Sequence, residues 1–142
     1  MYCQVYFVIF YLYFNRLTMN SSFATKYSLV LDSKSQLGEN GSCMLWTGHR
    51  SGGYGRIKVT FSPHIYKNIY VHRLSYFIDN NIHEYVLLDE DADQISHRCH
   101  HKLCINPSHL CKEPTNINGS RKSCQNNNTC FGHSHYPNCL FW

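Results

Sequence analysis

The chain has 142 residues, room for one domain or for one domain with a short tail. Charged residues are 15% and aromatic residues 15%, a balance that excludes a disordered tail and allows a small core of the sort that needs staples. The net charge of +4 is unevenly spread: no acid stands between Glu39 and Asp79 while Arg50, Arg56, Lys58, Lys67 and Arg73 do, and the acids from Asp79 to Asp93 follow with no Lys or Arg among them.

The first feature in chain order is the apolar run from Val5 to Phe14. It is too short for a membrane span, which needs about 20 residues. It has the length of a signal core, but no Lys or Arg precedes it and no small-residue cleavage site follows Arg16. With Met19 as the start, residues 1–18 would be translated upstream sequence; an added strand and a signal are the other readings, and nothing further along the chain needs them. Four sequons, at Asn20, Asn40, Asn118 and Asn127, lend weak support to secretion. Ser21 to Gly41 is a polar lead-in with one apolar patch, Tyr27 to Leu31, expected to form one strand or half a helix. Asn40-Gly41-Ser42 is a turn, Cys43 to Trp46 a short buried run, and Ser51-Gly52-Gly53 another turn.

From Tyr54 the pattern alternates. Tyr54, Arg56, Lys58 and Thr60 share one face of a strand, and Ile57, Val59 and Phe61 the other. Ser62-Pro63-His64 breaks the strand and Ile69-Tyr70-Val71 restarts it, so a hairpin over roughly 54–71 is expected. A two-stranded ribbon with Arg and Lys outward can enter a major groove, and the basic segment suits a polyanion; an ordinary half-buried hairpin with solvated cations fits the same residues. His72 to Asp79 reads as a helix with Leu74, Phe77 and Ile78 on one face, closed by Asn80-Asn81. An acidic loop follows, anchored by Val86-Leu87-Leu88, and then a strand from Gln94 to His97.

The eight cysteines are Cys3, Cys43, Cys99, Cys104, Cys111, Cys124, Cys130 and Cys139. In a secreted chain they could form disulfides, but histidines interleaved at short spacings favour zinc. Cys99, Cys104 and His109 follow one another at equal spacing, with Pro107 in the turn before His109. Zinc takes four soft or borderline ligands, and Cys43 is the evident fourth, since Cys3 belongs to the leader. Cys124, Cys130, Cys139 and either His133 or His135 form a second set, local enough to fold a chain end with few apolar residues. Cys111 is left as a small buried residue. Both sets are closed, hence structural, so catalysis would need another group; His97, two residues before Cys99, is a candidate general base.

The string from Ser96 to Cys111, Ser-His-x-Cys-x4-Cys-x-Asn-Pro-x-His-Leu-Cys, followed by Asn118, Arg121 and Cys124, resembles the His-Cys box homing endonucleases, members of the His-Me finger (ββα-metal) nucleases known from introns in nuclear ribosomal DNA. Cys43-Met-Leu-Trp-Thr-Gly, Gly53-Tyr-Gly-Arg and His72-Arg73 extend the likeness over roughly Ser42 to Cys139. It implies an α+β fold in which small antiparallel sheets precede a ββα-metal core held by two structural zinc sites. The chain then divides into 1–18, a lead-in of 19–41, a basic hairpin and helix region of 42–95, the core of 96–123 and a zinc tail of 124–142.

The resemblance further implies a Mg²⁺-dependent endonuclease acting on double-stranded DNA, with one catalytic Mg²⁺ and two zinc ions. His97 corresponds to the general base and Asn118 to the magnesium ligand. Cys43, Cys99, Cys104 and His109 match the first zinc; Cys124, Cys130 and Cys139 match the second, with His133 preferred over His135. The family's basic residue against the phosphate has no firm match; Lys67 and Arg56 are candidates, and Arg56, Lys58 and Lys67 are the expected DNA contacts. A nuclear location and no membrane partner are implied. Nothing after Cys139 matches the family's dimerising tail, so the homodimer stays open, as do nicking against a double break and target sequence. A cleavage-dead DNA-binding module and a secreted disulfide protein are the alternative readings.

Overall fold

The computed structural model describes residues 18–89 and 94–141. The apolar run from Val5 to Phe14, Cys3 and the end of the acidic loop lie outside the described residues. Among those described, no helix is long and apolar enough to cross a membrane.

The lead-in is a full helix, α1 (Ser21–Ser33), where half a helix or a strand was expected. Two local features make it so. The Asn20 side chain accepts from the backbone N–H groups of Ser22 and Phe23, satisfying donors the first turn leaves open. Phe23, Tyr27 and Leu31 recur every fourth residue and bury one face. Strand β1 (Ser35–Leu37) then pairs antiparallel with β2 (Met44–Trp46) around the Asn40-Gly41 turn.

The basic ribbon is β4 (Tyr54–Ser62) paired with β5 (Ile65–Tyr70), with the short β3 (Arg50–Ser51) on the other edge of β4. Gly52 and Gly53 both have positive φ, as a two-residue hairpin turn of the primed kind requires. The alternation holds: Val59 is buried and Lys58 and Thr60 are exposed. β5 begins at Ile65, earlier than the restart expected at Ile69, because pairing with β4 resumes directly across the turn, Ser62 opposite Ile65. Val71 belongs to helix α2 (Val71–Asp79), which follows β5 with no loop.

Of the expected anchor Val86-Leu87-Leu88, Leu87 alone is fully buried and Val86 is exposed. The segment is a 3-10 turn (Glu84–Leu88) and turns only part of its surface inward. Strand β6 (Gln94–His97) pairs antiparallel with β7 (Leu110–Glu113), and helix α3 (Thr115–Asn127) completes a ββα unit. The core gathers Phe23, Tyr27, Trp46, Val59, Leu74, Phe77, Leu87, Ile95 and Leu110 beneath α1, α2 and the ribbon. The fold is α+β with small antiparallel sheets.

Candidate metal centres and active-site cleft

Between β6 and β7 the chain makes a long loop laid along β2. Trp46 N–H donates to Leu103 O and Ile105 N–H to Met44 O, so the loop extends the pairing of β2. Ser75 and Asn106 fasten it further, to Ile105 O and Ser42 O. This placement brings Cys43, Cys99, Cys104 and His109 together, with ligand atoms all within 4.8 Å of one another. His109 Nδ1 lies 3.6 Å from Cys43 Sγ and 3.4 Å from Cys104 Sγ. Bond lengths of about 2.3 Å to sulfur and about 2.05 Å to nitrogen in a tetrahedron put S and N about 3.6 Å apart, so the set fits zinc.

Cys124, Cys130, His133 and Cys139 form the second tetrad, also within 4.8 Å. His133 Nε2 lies 3.6 Å from Cys124 Sγ and 3.2 Å from Cys139 Sγ. Its Nδ1 is 2.9 Å from Ser120 Oγ, whose own hydroxyl donates to Ile117 O, so His133 presents Nε2 to the sulfurs. His135 is exposed and outside the tetrad. Backbone donors are aimed at sulfur, Phe131 N–H at Cys124 and Cys139 N–H at Cys130, an arrangement suited to thiolates. Among the described residues none of the seven cysteines is in a disulfide. Cys111 is half-buried, not fully buried as expected, and joins neither tetrad. The hydrogen bond of the Cys104 thiol to Cys99 and burial both push that thiol up; a divalent cation reverses that balance by binding the thiolate.

Beside the tetrads lies a cleft of about 480 Å³ whose walls include His97 from β6, Asn118 and Lys122 from α3, His72 and Arg73 from α2, and Lys102 from the loop. His97 Nε2 is 3.0 Å from the carbonyl oxygen of Cys104. A carbonyl only accepts, so Nε2 carries the proton and Nδ1 the lone pair. Burial pushes His97 down to about 4, and His101 and His100 push the same way against its backbone hydrogen bond. The imidazole is therefore neutral near pH 7, the form a general base needs. Asn118 Nδ2 donates to Gln94 Oε1 at 2.6 Å, which leaves Oδ1 as the ligand-capable atom. Asn116, equally eligible from sequence alone, does not line the cleft.

The expected DNA contacts divide. Arg56 and Lys58 stand on the outward face, over the rings of Tyr70 at 3.6 Å and Tyr66 at 3.9 Å. Tyr54 and Tyr70 continue that face into the cleft wall. Lys67 lies opposite Val59 in the ribbon register, and its Nζ donates to Leu88 O at 3.2 Å. The structure thus sets Arg56 and Lys58 together and Lys67 apart from them. Sequence reasoning gave no site role to His72, Lys102, Lys122 or Gln94, all of which line the cleft; His72 entered only as part of the His72-Arg73 motif, and for Lys102 the signal was nearness to residues already singled out.

A model of the zinc-binding loop region of homing endonuclease matches residues 42–140. No curated protein and no solved structure matches the chain. The matched span takes in both tetrads, the basic ribbon and the cleft, and covers well over half of the sequence; the chain belongs to the homing endonuclease family, and that membership makes it a DNA endonuclease.

Proposed function

We propose that this chain hydrolyses phosphodiester bonds of double-stranded DNA with His97 as general base and Asn118 as the protein ligand of a single Mg²⁺. The observation that carries this reading is the placing of both side chains in one cleft, each with a fixed orientation. Asn118 fits a hard cation: it offers an amide oxygen, its nitrogen is tied to Gln94, and magnesium commonly takes few protein ligands. When bound, the ion would supply charge stabilisation at the scissile phosphate and the leaving oxygen.

The chain's own groups do the rest. His97 Nδ1 takes the proton of an attacking water, because Nε2 is occupied by Cys104 O. Lys102 and Lys122 on the cleft walls counter phosphate charge. Arg56 and Lys58 hold the duplex on the outward ribbon face, whose aromatic partners keep the long cations extended. Both tetrads have four protein ligands and no open position, so as zinc sites they are structural. A homodimer that sets a second cleft on the opposite strand would turn a nick into a double break. Action in the nucleus, on ribosomal DNA, rests on the family likeness.

The test is nicking of supercoiled plasmid carrying ribosomal DNA by Met19–Trp142 in Mg²⁺, beside the His97→Ala variant. Cleavage by the first protein alone supports the reading. Zinc bound, duplex retained in a gel shift and no cleavage by either protein would replace it with a binding module.

A further inference from the structure

The most heavily buried charges in the described molecule lie between the cleft and the second tetrad. Glu113, at the end of β7, is 0% exposed, and Arg121, on α3, is 2% exposed. The guanidinium grips the carboxylate through two bonds, Nε to Oε1 at 2.7 Å and Nη2 to Oε2 at 2.6 Å. Ser96 Oγ donates to the same carboxylate from β6, one residue before His97. On its other side the guanidinium reaches the tail: Nη2 donates to Pro137 O at 3.0 Å and Nη1 to Cys139 Sγ at 3.5 Å. Arg121 also stands three residues after Asn118, on the same side of α3, and both line the cleft.

One rigid fork therefore touches four parts: β7, β6 through Glu113 and Ser96, helix α3, and the tail that closes the second tetrad. Lysine could not replace it, because an ammonium lacks the planar pair of donors that a carboxylate accepts side by side. Three thiolates and one imidazole around Zn²⁺ carry a net charge of −1, and the guanidinium is the cation set against them.

We propose that Arg121 is a positioning residue that couples the second Cys/His centre to the cleft: its N–H···S bond to Cys139 stabilises the zinc-bound set, and its grip on Glu113 transmits that order to the strand carrying His97. The proposal rests on the zinc reading of the second tetrad and not on DNA cleavage, so its test needs no substrate.

Removing Arg121 alone would strand a buried carboxylate and unfold the domain for an unrelated reason. The test is the paired variant Glu113→Gln/Arg121→Met, which removes both charges and keeps the volume. Zinc release from the full chain to a chromogenic chelator is followed with amide hydrogen exchange at 94–97. The expected result is that half of the zinc leaves at least tenfold faster, the other half leaves at the wild-type rate, and exchange at 94–97 rises at least tenfold. A folded variant that releases both halves at wild-type rates overturns the proposal. Cobalt(II) adds a signature that packing alone does not move: loss of the N–H···S bond shifts the sulfur-to-metal charge-transfer band to lower energy, and an unshifted band counts against the proposal. If the paired variant does not fold, Cys130→Ser, which opens the tail centre alone, takes its place. Faster exchange at 94–97 on loss of the tail zinc supports the coupling, and unchanged exchange overturns it. A second tetrad that takes up no zinc overturns it as well.

Discussion

Nε2 of His97 donates to the backbone carbonyl of Cys104, 3.0 Å away and seven residues further along the chain. The acceptor sits in a loop held by the first tetrad, so the orientation of the cleft imidazole depends on a metal centre it does not touch. Cys104→Ser should lose one zinc per chain, release the loop from β2 and abolish cleavage, while the tail keeps its own zinc. Zinc stoichiometry and a thermal melt check this. A variant that binds one zinc and yet melts with the wild type would show that the loop stands without the tetrad.

Gln94 was not singled out from sequence, yet it orients the proposed magnesium ligand by accepting from Asn118 Nδ2 at 2.6 Å. Losing a partner of this kind typically weakens metal binding by about 10–100-fold. Gln94→Ala should therefore raise the Mg²⁺ concentration for half-maximal nicking by about tenfold or more, with duplex affinity in Mg²⁺-free buffer unchanged. An unaltered Mg²⁺ dependence would remove Gln94 from the site.

The residues behind these two predictions were unequally legible in the sequence. The tetrads were readable because seven of their eight ligands stand at short spacings between Cys99 and Cys139, with Cys43 added as the earlier cysteine outside the leader, and the ribbon because alternation has only one period to match. His133 was preferred over His135 on the resemblance alone, and the structure supplies the physical reason: Ser120 fixes one ring nitrogen of His133, while His135 is exposed. Helix α1 was under-read because only the patch from Tyr27 to Leu31 stood out in a polar stretch, and neither Phe23 one turn earlier nor the Asn20 cap was joined to it. The pair Glu113–Arg121 left no periodic trace, since a buried ion pair is defined by what surrounds it; Arg121 entered only as part of the resemblance, and Glu113 looked like an ordinary surface charge.

The ribbon face should be measurable through salt. Removing one cation from a DNA phosphate lowers the slope of log K against log salt by roughly 1. Lys58→Ala should lower the slope by about that amount. Lys67→Ala should leave it unchanged, because Lys67 stands on the other side of the ribbon and bonds Leu88 O. Equal slopes for the two variants would contradict the assignment of the outward face as the DNA surface.

Gly55 lies against the indole of Trp46: a Cβ there would come within 2.6 Å of the ring and 3.2 Å of a Val71 methyl group. Trp46 cannot easily retreat, being 2% exposed and bonded through Nε1 to His49 O. Gly55→Ala should destabilise the fold by about 1–3 kcal/mol, the usual range for overpacking. Chemical denaturation reads this directly, and an unchanged midpoint would mean that the sheet gives way at no cost.

His72 contributes to the acid limb of the stability curve, beside His97. It is 8% exposed, and burial holds its imidazole well below the usual histidine value. The neighbouring His97 on β6 adds to this, as do Arg73 on α2 and Arg56 on β4; a hydrogen bond with the Ile95 backbone opposes it. The rings of Tyr54 and Tyr70 face His72 as well. A histidine depressed in the folded state is protonated first in the unfolded chain, so stability is lost as pH falls below about 6.5, the unperturbed histidine value. Acid also strips zinc by protonating thiolates, but that loss is common to wild type and variant. His72→Asn should therefore lose less melting temperature between pH 7 and pH 5 than the wild type, even if it starts lower at pH 7. Parallel losses in the two proteins would show that His72 titrates alike in the folded and unfolded states and that the acid limb belongs to other groups, the buried His97 and the tetrads among them.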